Sequence, residues 1–463
     1  MKYLSVYQRL PGPLRSAAAG LRGLQLARRR YGAETAELVR AALERERWSE
    51  AQWEIWRRER LDRLLTRACT RAPYYRASGL DASSGLDGWP LLDKQTLRAR
   101  AREFVADDLD RRALPVERTS GTTGTPLALW RSRRTTRARY ALYEARHRHW
   151  YGVSRTDRWA MVAGQIVAGQ ADARPPYWVW NAPMRQLYVS SYHLAPEQAA
   201  ASVREIDRRE CRYAWGFPSS LTALARAALE TRCTCRLDAV TTHAEPLLPE
   251  QRRLISQAFG CRVYETYGMV ELAAAAGECE AGTLHLFPEF GIAEVLGDDG
   301  VLRTHGEGEL VATGLLDLDM PLIRYRTGDR VRIARAPAPC ACGRTLPVID
   351  AIEGRFDDVL TTRDGQPVGR LDSVFKGDLS IREAQIIQVA RDKIVVRVVP
   401  ALGYGQRTEG QIIRALQARL GPVGVRIETL RHIPRGPNGK FRAVVNRIPD
   451  RLETTAREFA ATC

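Results

Sequence analysis

The segment between Arg118 and Pro126 is rich in hydroxyl groups and glycine, and it lies between two stretches of strand-like composition. Its central residues are Ser120, Gly121, Thr122, Thr123, Gly124 and Thr125. Glycine lets the backbone approach a ligand closely, so successive N–H groups and hydroxyls can surround a polyphosphate. The segment lacks the Gly-Lys-Ser/Thr ending of a P-loop, so a catalytic lysine has to come from elsewhere. The competing interpretation is an ordinary surface turn.

A tyrosine, a glycine and a carboxylate follow a strand-like run that ends near Tyr264; they are Tyr267, Gly268 and Glu271. Ligand sites of α/β proteins lie at the carboxyl ends of the strands. The tyrosine can pack on a base or a ribose there, and Glu271 can hold Mg²⁺ between phosphates, since hard cations prefer carboxylate oxygens. The alternative is that Glu271 caps an alanine-rich helix over residues 272–276.

Two acidic positions follow at turns. Asp329 ends a strand-like run in Thr-Gly-Asp, and its carboxylate offers two oxygens that match the vicinal hydroxyls of a ribose. Segment 353–358, which contains Arg355 and Asp357, combines a glycine and two adjacent acids with a change in composition. We expect a hinge at this point.

Lys440 lies at the tip of a run of turn-forming residues. The chain has 71 basic residues, and because only five of them are lysines, 66 are arginines. A compact ammonium group suits point contacts to a carboxylate and a phosphate oxygen, whereas a planar guanidinium does not. We therefore predict a catalytic role for Lys440; the alternative is an exposed lysine.

Two pairs of metal-binding residue types flank a region of short strands. The candidate ligands are Cys279, His285, Cys340 and Cys342. Thiolates and imidazoles from two turns are typical ligands of structural Zn²⁺, and Gly343 allows a tight bend after the second pair. Cys-x-Cys is tighter than the usual spacing, and reduced cysteines beside a surface histidine are the alternative. Cys233 and Cys235 form a competing pair, with His243 as its nearby histidine.

The elements that must position these residues alternate along the chain. Residues 32–105 have apolar positions at helical spacing, and between residues 155 and 300 buried strand-like runs alternate with amphipathic helices. This alternation predicts an α/β fold. Short segments over residues 290–350 predict an appended antiparallel β region, as a small barrel or sheet. After Gly354, two strands, a helix over residues 406–420 and a last strand over 425–430 predict a small α+β lid.

The predicted organisation is a large N-terminal domain of α/β subdomains, residues 1–353, and a mobile C-terminal lid domain, residues 354–463. A group of aromatic residues and one histidine could line an apolar ligand pocket. They are Trp159, Trp178, Trp180, Tyr188, Tyr192 and His193. Such residues are compatible with an aryl or a long apolar acid, and equally with core packing.

The formal net charge of +17 would suit nucleic acid or an anionic membrane, but the arginines are scattered rather than gathered in a stripe. We therefore predict no nucleic-acid partner. No stretch reaches the roughly 18 apolar residues of a membrane span, and residues 1–30 lack the apolar run of a secretory signal. A cytoplasmic protein is expected. A weak membrane-surface contact through the basic segment 14–31 is an option, and a solvated helix is the favoured alternative.

The motifs follow one another as Ser-Gly-Thr-Thr-Gly, Tyr-Gly-x-x-Glu, Thr-Gly-Asp, Gly-Arg-x-Asp-Asp and a C-terminal Gly-Lys. This order resembles the adenylate-forming superfamily of acyl-CoA synthetases, peptide-synthetase adenylation domains and luciferases. The phenylacetate–CoA ligase group is more similar still, especially its homologues associated with capsular polysaccharide biosynthesis. The likeness covers nearly the whole chain, including segments 90–94, 216–220 and 385–388.

The resemblance implies a role for each motif, and some phenylacetate–CoA ligase relatives that look similar around the cysteines hold a structural zinc. The implied roles are ATP phosphates for residues 120–125, the adenine side for Glu245, Tyr267 and Gly268, Mg²⁺ for Glu271, the ribose for Asp329 and Arg355, the hinge for Asp357, and adenylation for Lys440. Two departures occur. Val270 stands where the family often has a threonine or serine that contacts phosphate, and segment 360–365 lacks the Lys-x-x-Gly of many CoA ligases.

We expect Mg²⁺-dependent activation of a carboxylic acid by ATP, giving an acyl-adenylate and pyrophosphate, followed by transfer to coenzyme A. An amine acceptor, giving an amide, is the second possibility. A homologue with reduced catalysis that serves as an assembly factor in envelope or capsular polysaccharide biosynthesis is an alternative of another class. Val270 and the altered segment 360–365 favour that alternative, and the presence of Asp329 and Lys440 opposes it.

Overall fold

The computed structural model describes residues 6–7, 10–119, 127–169, 175–335, 340–355, 360–365, 367–368, 371–375, 379–436 and 439–448. The chain divides into two compact units. The large unit comprises Met1–Thr327, Val331–Ile352 and Pro437–Lys440, and the small unit comprises Gly328–Arg330, Glu353–Gly436 and Phe441–Cys463. Residues 120–125 and Asp357, for which the sequence predicts a phosphate loop and a hinge, lie outside the described residues.

The helices, numbered in chain order, are α1 (Gly12–Arg30), α2 (Thr35–Arg45), α3 (Glu50–Arg71), α4 (Pro73–Ala77), α5 (Lys94–Ala99), α6 (Arg133–His147), α7 (Pro196–Arg208), α8 (Pro218–Glu230), α9 (Pro249–Phe259) and α10 (Gln406–Leu420). Short 3₁₀ turns span Ala82–Ser84, Leu86–Gly88, Ala101–Phe104, His149–Tyr151, Ala182–Met184 and Leu371–Phe375. Local sequence fixes several starts. Asp93 accepts the backbone N–H of Thr96 and caps α5, and proline occupies the first turn of α7, α8 and α9.

The strands are β1 (Val116–Arg118), β2 (Ala128–Trp130), β3 (Trp159–Ala163), β4 (Trp178–Asn181), β5 (Gln186–Ser190), β6 (Tyr213–Gly216), β7 (Ala239–Thr242), β8 (Arg262–Gly268), β9 (Ala275–Glu278), β10 (Leu284–Leu286), β11 (Gly291–Leu296), β12 (Leu302–Arg303), β13 (Gly306–Gly314), β14 (Tyr325–Ile333), β15 (Val348–Arg355), β16 (Leu360–Thr361), β17 (Pro367–Val368), β18 (Ile381–Ala390), β19 (Lys393–Pro400), β20 (Gly424–Thr429) and β21 (Val444–Asn446). Thirteen of them form one sheet in the order β12-β11-β13-β14-β15-β10-β9-β8-β7-β6-β3-β5-β4. The mixed α/β class predicted from the sequence is confirmed.

Parallel pairing sets the geometry of one half of this sheet. β3 pairs in parallel with β5 and β6, β6 with β7, and β7 with β8. Alternate strand residues face opposite sides: Val240 packs with α7, α8 and α9, whereas its neighbour Ala239 packs with α2 and α6. Because β6, β7 and β8 run in the same direction, their carboxyl ends meet at one edge.

The antiparallel region continues this sheet rather than forming a separate barrel. β9 pairs antiparallel with β8 on one side and with β10 on the other. The suggested helix over residues 272–276 is therefore wrong. Ala275 packs in one core cluster and Ala276 in another, which is the period of a strand. Tertiary pairing outweighs the helix propensity of alanine here.

Helix α1 carries an exposed apolar line. Leu14, Leu21 and Leu24 have exposed fractions of 53%, 69% and 46%, and they recur at helical spacing on its outer side. No aspartate or glutamate precedes Glu34 in the sequence. Among the described residues, no helix combines the length and the apolar character that a membrane crossing requires.

The small unit contains a sheet in the order β20-β19-β18-β21, covered by α10. Ile386, Val396, Ile412 and Leu416 are fully or nearly fully buried in its core. This confirms the predicted small α+β region. The prediction that the last strand lies at 425–430 is wrong, because β21 follows and pairs in parallel with β18. At three half-buried residues, β21 is too short to show an alternating pattern.

Candidate functional site

Two neighbouring strands place predicted ligand residues at the same edge of the sheet. Glu245 follows β7, and Tyr267 and Gly268 end β8. Glu245 Oε2 accepts the backbone N–H of Ser219 at 3.0 Å, in the first turn of α8. A carboxylate in this position satisfies an otherwise unpaired helix N–H and is favoured by the helix dipole.

Glu271 is nearly buried, with 7% of its surface exposed, in the turn between β8 and β9. Its Oε1 accepts a hydrogen bond from the Tyr325 hydroxyl at 3.1 Å and lies 3.6 Å from Lys94 Nζ. A buried carboxylate needs such partners, because its desolvation would otherwise favour the neutral form. The arrangement holds a carboxylate oxygen in a fixed position at the strand edge.

The backbone fixes Lys94 beside this carboxylate. Leu92 donates its N–H to the carbonyl of Arg324 and accepts the N–H of Arg326, both at 2.9 Å, so this segment pairs with the start of β14. The cap by Asp93 then starts α5 at Lys94. Sequence reasoning assigned no role to Lys94. The signal that could have found it is the rarity of lysine, which was used only for Lys440.

The residues on either side of segment 120–125 form a short hairpin. Thr119 and Leu127 exchange backbone and side-chain hydrogen bonds of 3.0 Å, next to the pairing of β1 with β2. Behind the hairpin, Glu117 accepts hydrogen bonds from Arg131 at 2.9 Å and from Arg139 at 2.8 Å. Burial opposes ionisation of Glu117, but the two arginines outweigh it and lower its pKa to about 2. The base of the predicted phosphate loop is therefore held by a charge network.

The remaining predicted residues occupy three places. Asp329 lies within β14 and is 9% exposed. Arg355 is the last residue of β15. Lys440 groups with the large unit, although the chain before and after it belongs to the small unit. Burial lowers the pKa of His243, which follows β7, to about 3, and the charge of Lys440 adds to this lowering.

The four cysteine and histidine candidates lie together, with all their ligand atoms within 4.8 Å of one another. Cys279 Sγ is 3.7 Å from Cys340 Sγ, and Cys342 Sγ is 3.4 Å from His285 Nε2. Tetrahedral Zn²⁺ with bonds of about 2.3 Å to sulfur and about 2.0 Å to nitrogen separates two sulfurs by about 3.8 Å and sulfur from nitrogen by about 3.5 Å. The donor set and spacing therefore fit a tetrahedral Zn²⁺ site.

The surroundings of this cluster orient its donor atoms. His285 Nδ1 donates to the Leu346 carbonyl at 3.1 Å, which leaves Nε2 facing the cysteines, and burial lowers the pKa of this imidazole. Backbone N–H groups of Ala281 and Arg344 point at Cys279 Sγ and Cys342 Sγ at 3.3 and 3.4 Å. Such hydrogen bonds are typical of structural metal sites, where outer groups fix the ligand geometry.

The fold is that of the adenylate-forming enzymes. A 2-hydroxyisobutyryl-CoA ligase in the postadenylation state, in complex with R3-HIB-AMP, aligns with a TM-score of 0.67 and 22% identity over 90% of this chain and 94% of that chain. The same ligase in complex with 2-HIB-AMP also aligns with a TM-score of 0.67, at 23% identity over 90% of this chain and 93% of that chain.

Sequence comparisons give particular relatives. Residues 360–447 match the CapK C-terminal domain. Protein CapK of Staphylococcus aureus is 25% identical over 309 residues, which are 64% of this chain and 67% of CapK. The phenylacetate-coenzyme A ligase of Pseudomonas putida is 36% identical over 129 residues, 26% of this chain and 28% of the ligase. The chain is therefore similar to CapK over 64% of its length and to this phenylacetate-coenzyme A ligase over 26% of its length, in line with the resemblance of its motifs.

Proposed function

We propose that this protein is an ATP-dependent acid–thiol ligase that converts a carboxylic acid to an acyl-adenylate and then transfers the acyl group to coenzyme A. The observation that carries the proposal is the nearly buried Glu271, held by Tyr325 and Lys94 at the strand edge. A fixed carboxylate beside a lysine suits a triphosphate bound with a divalent cation. The carboxylate can bind the cation, and the lysine can contact the phosphate oxygens.

Glu271 would hold Mg²⁺, since one protein carboxylate with phosphate oxygens is a common ligand set for this ion. When bound, Mg²⁺ would neutralise phosphate charge during attack on the innermost phosphorus. Lys94 and Tyr325 contact the Glu271 carboxylate and orient it. Lys440 would contact the carboxylate and the α-phosphate, and residues 120–125, Asp329 and Arg355 would bind the rest of the nucleotide. These roles, together with those of Glu245, Tyr267 and Gly268, are part of the proposal.

Carboxylate-dependent exchange of labelled pyrophosphate into ATP tests the first step. Lys440→Ala is expected to reduce exchange at least about a hundredfold if the lysine acts in the transition state. Glu271→Gln is expected to reduce it as strongly, because the amide keeps the shape but loses the charge. Lys393→Ala is the matched control, since this exposed lysine begins β19 in the small unit. Full exchange in both Lys440→Ala and Glu271→Gln would refute the assignment.

The acceptor is tested by AMP release from the adenylate with and without coenzyme A, and with a panel of amines. Segment 360–365 lacks the Lys-x-x-Gly of many CoA ligases, and it begins with the short strand β16. Stimulation by coenzyme A supports thioester formation. Stimulation by amines alone would support the amide-forming alternative.

We also propose that Cys279, His285, Cys340 and Cys342 bind a structural zinc. The ligand-atom separations of 3.7 and 3.4 Å support this role. A catalytic zinc would need an open coordination position, whereas four protein ligands complete a tetrahedron.

A second candidate is an assembly factor with reduced catalysis. The observation that favours it is Val270, which packs against the apolar cluster around Leu92 and Leu127 and offers no hydroxyl to a phosphate. Titration with Mg²⁺ATP, followed by the exchange assay, separates the cases. Saturable binding together with acid-dependent exchange supports the ligase. Absence of saturable binding, or binding without exchange for any acid, supports the assembly factor.

A further inference from the structure

Three nitrogen-bearing rings meet beside the carboxyl ends of β6 and β7. Trp215 is the penultimate residue of β6, and it lies between His147 and His243 at centroid distances of 5.5 and 6.1 Å, edge-on to both at 86°. His147 ends α6, and His243 directly follows β7. None of the three belongs to the predicted nucleotide site or to the four-residue cysteine and histidine cluster.

Each ring has a buried nitrogen without a partner. Over the part of the chain that the structure describes, Trp215 Nε1, His147 Nδ1 and His243 Nε2 make no hydrogen bond. A buried donor or acceptor left unpaired costs free energy, so native proteins rarely keep one without a role. Three such atoms in one group of touching rings indicate a place where a polar group binds.

All three nitrogens belong to uncharged side chains. His147 Nε2 lies 3.2 Å from the Ala276 carbonyl and must donate to it, so Nδ1 carries a lone pair and accepts. The indole N–H of Trp215 can only donate. Burial lowers the pKa of both histidines to about 3, which keeps the imidazoles neutral. A hydroxyl group, which donates and accepts at once, complements this set.

The two arginines nearest to these rings are engaged with acidic or hydroxyl partners. Arg148 lies 5.2 Å over the Trp215 ring, but its guanidinium donates to the Tyr213 hydroxyl at 2.7 Å and to Glu144 at 3.3 Å. Arg146 donates to Glu289 at 2.6 Å, and the charge of Lys440 also acts on His243. The unpaired nitrogens themselves belong to uncharged rings, so they favour a neutral polar substituent that both donates and accepts.

Aromatic side chains surround the three rings, and one of them lies next to the predicted nucleotide site. Tyr143 stacks on His147 at 5.1 Å, and Phe217 lies 5.2 Å from His243. A Cβ placed on Gly268 would lie 4.0 Å from the Tyr143 hydroxyl, so this wall adjoins the residue that ends β8. Flat apolar walls suit an aromatic ring.

We propose that Trp215, His147 and His243 form the specificity end of the acid-binding pocket, and that the preferred substrate is an aromatic carboxylic acid bearing a hydroxyl group. The inference rests on the proposed ligase function and names its substrate class. A bound water could supply the same hydroxyl chemistry, so the experiment separates a substrate hydroxyl from water.

The experiment measures kcat/KM in pyrophosphate exchange for benzoic and phenylacetic acids, their 2-, 3- and 4-hydroxy derivatives, and the matching methyl derivatives. At least one hydroxy acid is expected to exceed both its parent and its methyl analogue about tenfold or more, the discrimination that one or two neutral hydrogen bonds give. If every hydroxy acid only equals or falls below its parent, water satisfies the rings and the inference is overturned.

Trp215→Phe tests the residue itself, because it removes the N–H and keeps an aromatic ring. The ratio of kcat/KM for the preferred hydroxy acid over its parent is expected to fall about tenfold. This ratio is measured on one protein sample, so a loss of folded protein cancels. Trp178→Phe is the control, since Trp178 packs against the cluster on the other face of the sheet, and its ratio is expected to stay unchanged.

The outcomes distinguish the two proposals. An unchanged ratio in both Trp215→Phe and His147→Asn overturns the pocket while leaving the ligase function intact. Absence of exchange with every acid, despite saturable Mg²⁺ATP binding, overturns the ligase function and this inference with it. A tenfold preference that Trp215→Phe removes supports both.

Discussion

Replacing Cys342 with serine is expected to abolish zinc binding, whereas replacing Cys233 is expected to leave it intact. Cys342 Sγ is 3.4 Å from His285 Nε2 within a group whose four ligand atoms span no more than 4.8 Å. A serine hydroxyl at neutral pH is a poor substitute for a thiolate. Cys233 is the matched control, because it is also a half-buried free cysteine and belongs to the competing Cys-x-Cys pair.

The cluster joins two neighbouring strands, so zinc binding is expected to stabilise the folded protein. Cys279 directly follows β9 and His285 lies in β10, and these strands are neighbours within the large sheet. Metal that binds only the folded state stabilises it by about 4 kcal/mol when free zinc is about 1,000 times Kd. For a unit of this size that corresponds to a loss of about 4–8 °C in Tm on metal removal.

The assay combines metal analysis after gel filtration with thermal unfolding in the presence and absence of a chelator. The unmodified protein and Cys233→Ser should each carry about one zinc per chain and lose Tm on chelation. Cys342→Ser should carry less than about 0.1 zinc per chain and show no response to the chelator. Stoichiometric zinc in Cys342→Ser, or an equal chelator response in that variant, would refute the four-ligand site.

Three further perturbations have defined outcomes. The pKa of Glu117 is about 2 in the folded protein against 4.5 in the unfolded chain, so ionised Glu117 stabilises the fold by about 3 kcal/mol above pH 4.5, and this stabilisation is lost as the pH falls toward 2. Glu117→Gln should lower the free energy of unfolding in urea at pH 7 and should weaken its dependence on pH between 4.5 and 2. An unchanged pH dependence in this variant would contradict the charge network. Lys94→Gln should reduce pyrophosphate exchange about tenfold through loss of the cation 3.6 Å from Glu271, and exchange equal to that of a Lys393→Gln control would contradict it. If α1 makes a weak contact with anionic membranes, the chain should co-sediment with phosphatidylglycerol vesicles at low salt. Leu21→Ser, at a position that is 69% exposed, should reduce the fraction of protein that co-sediments. Equal co-sedimentation of the variant and the unmodified protein would contradict the membrane contact.

Elements with a long, regular pattern could be predicted from the sequence. The helix over residues 406–420 has the predicted bounds, because it carries a sustained apolar period and is followed by a glycine. Residues 272–276 could not be assigned correctly from composition. Alanine has no side chain to reveal a strand period, and only pairing with β8 and β10 makes Ala275 and Ala276 face opposite ways.

Only part of the candidate site could be predicted from the sequence. The zinc candidates were found because two short-range pairs carry a recognisable chemistry, and the structure adds that the pairs meet. The sequence predicts Glu271 as a metal ligand, but its partners Lys94 and Tyr325 come from distant segments joined by an isolated bridge between Leu92 and Tyr325. No local pattern encodes such a contact, so the sequence could propose the carboxylate and not what holds it.

The proposed acid pocket could not be located from aromatic content alone. Trp178 and Trp180 were candidates for its lining, yet both pack against the core between the sheet and α7, α8 and α9. Trp215 faces the other side, because its neighbour Ala214 already fills that core and strand residues alternate. Trp215 differs from Trp178 and Trp180 in having a buried N–H with no partner among the described residues, and this property depends on the neighbours that all other segments supply. The polar atoms that packing leaves unpaired can therefore be identified only once the segments are assembled.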